Sequence, residues 1–145
     1  MKVLWLVVPL FLLIGCSSPD KLVGNWEGSP TIVGRKASQF VQLREDGKYE
    51  SRLMIEGSQG ALVATDKGTW KRLDAQTVKI QLTSVSWDLV GTDEATRKNV
   101  VGQYKSMESK MLEEANKFGV SKLTWKNNNE VTFETNGESV TFIRK

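Results

Sequence analysis

Cys16 is the single thiol of the chain, and the chain contains no histidine. A thiolate is a strong nucleophile and a soft metal ligand, so the fate of this one sulfur sets the chemistry open to the protein. Once it is consumed, the remainder has no imidazole general base, no partner for a disulfide, and no nitrogen or sulfur side chain for a structural zinc. What is left is chemistry on Ser, Thr, Lys, Asp or Glu alone. Ser18-Pro19-Asp20-Lys21 has the spacing of a Ser-x-x-Lys nucleophile pair. That pair works on successive turns of a buried helix, whereas here it sits in the expected tether, next to a proline and beside the membrane, so the spacing reads as coincidence. Asp93-Glu94 and Glu113-Glu114 are adjacent in a segment of helical spacing, so their carboxylates diverge and form a solvated face rather than an acid–base pair. No catalytic residue, cofactor or metal ligand is assigned on these patterns.

The segment that positions Cys16 is a secretory signal in outline. Lys2 supplies the positive start, Val3 to Ile14 is an apolar run, and Gly15 is the small residue before the cut. Twelve helical residues rise about 18 Å, short of the roughly 30 Å hydrocarbon core, so the run does not span a membrane. Leu13-Ile14-Gly15-Cys16 resembles the lipobox of bacterial lipoproteins at all four positions. The resemblance implies diacylglyceryl transfer to the Cys16 sulfur, cleavage after Gly15 and fatty acylation, palmitate among the chains, of the new N-terminus. Two or more acyl chains hold a protein to a bilayer without help from a basic patch. Residues 1–15 are thus expected to be removed, and 16–21 to form a lipidated tether that places the domain within about 20 Å of the membrane. Ser17 after the cysteine resembles the pattern of lipoproteins sent to the outer membrane, facing the periplasm where the host has two membranes. The expected location is the cell envelope.

Residues 22–145 have the length of one domain with one core. Of the chain's 20 basic side chains only Lys2 lies in the signal, leaving 19 against 17 acids, interleaved along the sequence. That balance argues against nucleic acid as a partner.

Period-two patterning dominates this part. Tyr49, Leu53 and Ile55 alternate with Lys48, Glu50, Arg52 and Glu56; Val78, Ile80 and Leu82 alternate with Thr77, Lys79, Gln81 and Thr83. Leu123 with Trp125, Val131 with Phe133, and Val140 with Phe142 repeat the pattern. Asp46-Gly47, Gly57-Ser58-Gln59-Gly60, Asp74-Ala75-Gln76, Asn127-Asn128-Asn129 and Asn136-Gly137 mark turns. About eight antiparallel strands in consecutive hairpins are predicted. Between Thr92 and Phe118 the spacing changes: Val100, Tyr104, Met107, Met111, Ala115 and Phe118 recur every three or four residues. An amphipathic helix over 93–118 is predicted, with Thr92 or Asp93 as N-cap and Gly119 as the stop. It should cap an open barrel end or cover one sheet face.

Gly24-Asn25-Trp26 resembles the Gly-x-Trp opening of lipocalin-like domains, and Gly68-Thr69-Trp70 resembles a strand of small bacterial lipocalin-like lipoproteins. The Thr-Asp-x-x-x-Tyr pattern of lipocalins is absent, since Thr65-Asp66 runs into Lys67-Gly68-Thr69-Trp70. The resemblance implies a mainly β fold, an antiparallel meander closed into a calycin-type barrel, with Trp26 plugging one end.

Trp26, Trp70, Trp125 and Tyr104 are the candidate ligand or core residues, inward aromatics more often filling a core than lining a pocket. The functional expectation is a non-enzymatic, membrane-anchored envelope protein that binds a small apolar ligand or another envelope protein. The alternative is a structural accessory subunit of an envelope complex.

Overall fold

The computed structural model describes residues 19–32 and 34–145. The expected signal, its cleavage site and Cys16 lie outside the described residues. The elements follow one another as β1 (Gly24–Gly28), β2 (Thr31–Ile32), β3 (Arg35–Leu43), β4 (Lys48–Gly57), β5 (Gly60–Asp74), β6 (Thr77–Val90), α1 (Glu94–Lys117), β7 (Val120–Asn127), β8 (Glu130–Thr135) and β9 (Glu138–Arg144). All pairings are antiparallel, and β1 bonds to both β9 and β3, which closes eight strands into an up-and-down barrel. The ninth, β2, pairs with β3 alone through two residues. Closure removes the unpaired edges an open sheet of this size would expose.

The alternation in sequence is what closes the barrel. In β5, Lys67, Thr69 and Lys71 face water while Gly68 and Trp70 face inward, opposite Leu82 and Ile80 of β6. Asn136 and Gly137 both take positive φ, 50° and 82°, and make the β8–β9 turn, a conformation that Asn and Gly tolerate best. The inward positions of all eight barrel strands meet in one cluster that includes Trp26, Leu43, Trp70, Val78, Val131 and Phe142, with Leu22 from the incoming chain. Among the described residues, every strand and every core residue falls within 22–145.

One end of the barrel is sealed. Leu22, fully buried, lies across it, and the Trp26 indole N–H donates to the Leu22 carbonyl at 2.8 Å. The Arg144 guanidinium stacks 4.3 Å from the Trp26 ring and donates to the Val23 carbonyl, while Trp125 meets Trp26 edge-on at 6.0 Å. Asp20 fixes the entry of the chain by accepting from the Leu22 N–H and from Arg72.

The other end is built differently. Strand β7 pairs with β6 only over Thr77–Lys79, after which β6 continues alone on that side to Val90. Helix α1 occupies the vacated edge. The Asn116 side chain accepts from the Leu82 N–H at 2.8 Å and donates to the Leu82 carbonyl at 3.0 Å, supplying both bonds a neighbouring strand would have made. Asp93 is the N-cap, accepting from the Thr96 N–H. Gly119 serves a purpose other than the left-handed stop. A Cβ there would lie 2.2 Å from the Ile80 carbonyl oxygen, so only glycine lets the chain pass this close to β6.

The helix uses its apolar residues differently from the sequence expectation. No residue of α1 is fully buried, and Met107 and Phe118 are exposed, as is Ala115. The face turned toward the barrel runs through Val100, Tyr104, Met111, Leu112 and Asn116. The predicted stripe drifts off this face because 3.6 residues per turn rotates a long three-and-four pattern around the axis, and the polar Asn116 takes the position that bonds β6. Among the described residues no helix is long and apolar enough to cross a membrane.

Candidate functional site

At the open end, α1 and the β4–β5 hairpin leave a groove of about 690 Å³. Its walls are largely apolar: Ile55 and Leu62 from β4 and β5, Leu89 from β6, Val100 and Tyr104 from α1, with Arg35 at the rim. Trp87 of β6 forms the aromatic wall, stacked on Tyr104 with centroids 4.5 Å apart and planes at 21°. The strand pairing explains why an indole meets the helix here. Trp87 sits opposite Ala64 on the stretch of β6 that β7 has abandoned, so the adjacent space is filled by α1. The Trp87 indole N–H is buried and has no hydrogen-bond partner among the described residues. An orphaned donor of this kind costs about 1–3 kcal/mol and is satisfied when an acceptor enters beside it.

Deeper in the barrel the lining turns polar. Gln39, Tyr49, Ser51 and Asp66 all occupy inward positions of β3, β4 and β5. Gln39 donates to the Ser51 hydroxyl at 3.1 Å, and Ser51 is almost fully buried. Burial raises the Tyr49 hydroxyl well above the usual tyrosine range, so it stays protonated at any physiological pH. Asp66 lies opposite Ser51 on one side and Val85 on the other. Burial alone pushes its carboxyl from 3.8 up to about 6. Gln39 and Tyr49 also line a second cavity of about 400 Å³, open between Phe118 and the β8–β9 turn. Of the polar layer, Gln39 and Tyr49 thus face this second cavity, and none of the four lines the apolar groove.

The four aromatics singled out in the sequence part company. Trp26 and Trp70 belong to the sealed core, Trp70 with its indole N–H on the Arg44 carbonyl at 2.9 Å. Trp125 packs on Trp26 at the same end, with the Lys21 ammonium 4.6 Å above its ring. Only Tyr104 reaches the groove. Asp66 was missed, although the signal was present: the parity that sends Lys67, Thr69 and Lys71 outward and Trp70 inward also sends Asp66 inward. Ser18 of the Ser-x-x-Lys spacing lies outside the described residues, and Asp20 within it holds the entering chain. Among the described residues no three acidic or thiol side chains converge to hold a metal.

These features define a lipocalin-like β-barrel with one sealed and one accessible end. No family model matches the chain, and no curated protein is significantly similar to it.

Proposed function

We propose that this chain is a lipid-anchored binding module of the bacterial envelope, which holds a small, largely apolar molecule in the groove between α1 and the β4–β5 hairpin. The observation that supports it is the contrast between the two barrel ends: one filled by Trp26, Leu22 and Trp125, the other left as an apolar groove with an unpartnered indole N–H. Concave, mostly apolar clefts with a few placed polar groups are the usual form of small-molecule sites. The exposed large apolar side chains Phe40, Leu73, Val90, Met107, Phe118, Val120 and Ile143 are distributed over β3, β5, β6, α1 and its C-terminal end, β7 and β9.

The groove is tested with N-phenyl-1-naphthylamine, a neutral probe whose fluorescence rises in apolar surroundings. Residues 17–145 should bind it saturably at one site, and Trp87→Ala should weaken binding at least fivefold while the circular dichroism spectrum is retained. A signal that rises linearly, or equal binding by the variant, counts against the groove.

The anchor is tested separately by cell fractionation. The wild-type chain should partition with membranes, and Cys16→Ser should remain uncleaved at Gly15 or shift to the soluble fraction once the signal is removed. Normal processing together with unchanged membrane partition would refute the lipid.

A further inference from the structure

The second cavity, of about 400 Å³, shares no lining residue with the apolar groove and differs from it in character. Its wall carries a strip of polar side chains from three successive strands. Ser121 of β7 and Thr135 of β8 lie hydroxyl to hydroxyl at 2.6 Å, and Thr135 stands directly opposite Glu138 of β9. At the spacing of neighbouring strands the strip is about 10 Å long. Gln39 of β3 and Tyr49 of β4 line the same space.

The fold does not need hydroxyls here. Branched apolar side chains at 121 and 135 would suit the strands and close the space, as Val41, Ile80 and Val140 do around it. Ser121, buried though polar, instead helps to leave a void beside groups that can form hydrogen bonds, and such a departure from core packing is expected where something binds. Those groups are only partly spent on one another. In the Ser121–Thr135 pair one O–H serves the other oxygen, which leaves the second O–H and the remaining lone pairs free. Gln39 gives one amide N–H to Ser51 and keeps a second N–H beside its carbonyl oxygen.

Hydroxyls and an amide both donate and accept, so they match a partner whose own polar groups are hydroxyls. No Lys or Arg lines this cavity, nor the adjoining one of about 840 Å³ that shares Gln39, Glu138 and Val140 with it. An anion would find no counter-charge and would face the Glu138 carboxylate. A cation would find only that carboxylate, exposed and screened by solvent, and no charge at the depth of Ser121 and Tyr49. At the rim Phe118 is 48% exposed and offers an apolar ring face. We infer that this cavity is a second ligand site, for a small neutral saccharide whose hydroxyls bond Gln39 and the Ser121–Thr135–Glu138 strip while the C–H face of its ring lies on Phe118. The inference stands independently of the groove.

Amide-detected NMR of isotope-labelled residues 17–145, titrated into the millimolar range with D-glucose, D-galactose, N-acetyl-D-glucosamine and, as the anionic control, D-glucuronate, tests this. At least one neutral sugar should shift the Ser121, Thr135 and Glu138 amides saturably, with glucuronate at least fivefold weaker. Thr135→Val keeps the shape and removes the hydroxyl, so it should weaken that sugar at least fivefold while the circular dichroism spectrum is retained. Glu138→Gln should narrow the gap to glucuronate. Binding of N-phenyl-1-naphthylamine should be the same with and without the sugar, because the two cavities have no wall in common. Absence of a saturable shift with all three neutral sugars, which would leave the cavity to water alone, overturns the inference, as does sugar binding that Thr135→Val leaves unchanged; neither result touches the groove, which is judged by its own probe.

Discussion

Trp26→Ala should lower the stability of the barrel by about 3–5 kcal/mol, the usual range for deleting a large aromatic from a core. The estimate belongs at the upper part of that range, because several interactions are lost together. Trp26 is 1% exposed, so almost its whole surface leaves water on folding. Its indole bonds the Leu22 carbonyl, its face carries Arg144, and its edge packs on Trp125. Its strand β1 is also the one that pairs with both β3 and β9 to close the barrel. The loss is a large part of the 5–15 kcal/mol that holds a typical domain. Urea unfolding followed by far-ultraviolet circular dichroism should show a midpoint falling by more than a third. A loss under 1 kcal/mol would mean that the end is not sealed by this residue.

Asp66→Asn should do the opposite at neutral pH. The folded-state carboxyl titrates near 6 instead of 3.8, so between these values the folded protein holds a proton that the unfolded chain has released. Stability therefore declines as pH rises from about 4 to about 6 and is level above that. The full shift corresponds to about 3 kcal/mol at 1.36 kcal/mol per pH unit. Asp66 is only half-buried, so solvent screens part of this, and a gain on the order of 1–2 kcal/mol is expected for the asparagine variant at pH 8. At pH 4 variant and wild type should be nearly equal, since a protonated aspartate and an asparagine have almost the same shape and charge. Thermal melts across pH 4–8 give the comparison; a wild type that gains stability toward pH 8 relative to the variant would reverse the sign and exclude a burial-raised carboxyl.

The parts of this fold that were readable in the sequence are those where a local signal and the global structure agree. All five marked turns join consecutive strands, and α1 begins at the residue after Asp93, one of the two expected caps. The unread parts depend on long-range geometry. Strand β2 is two residues long and carries no periodicity of its own. That β7 would leave β6 after three residues is nowhere in the local pattern of β6, whose inward positions continue with Val85, Trp87 and Leu89. Only once that edge is vacant do Trp87 and Tyr104 become neighbours and the groove exist. Asn116 shows the same limit: on an isolated helix it is an ordinary polar residue, and its role as a substitute strand follows from Leu82 lying opposite.

The chain enters the barrel at the sealed end, pinned by Asp20, Arg72 and Arg144, and the groove opens at the opposite pole. If Cys16 carries the proposed acyl chains, four residues before Asp20, the plugged pole would rest on the bilayer and the aperture would look away from it. A ligand dissolved in such a leaflet would then have no direct path inside, because Trp26 and Leu22 close that pole. Under the proposed function, loading and unloading would take place on the aqueous side, which suits exchange with molecules or carriers that arrive across the intervening compartment rather than extraction from the lipid beneath.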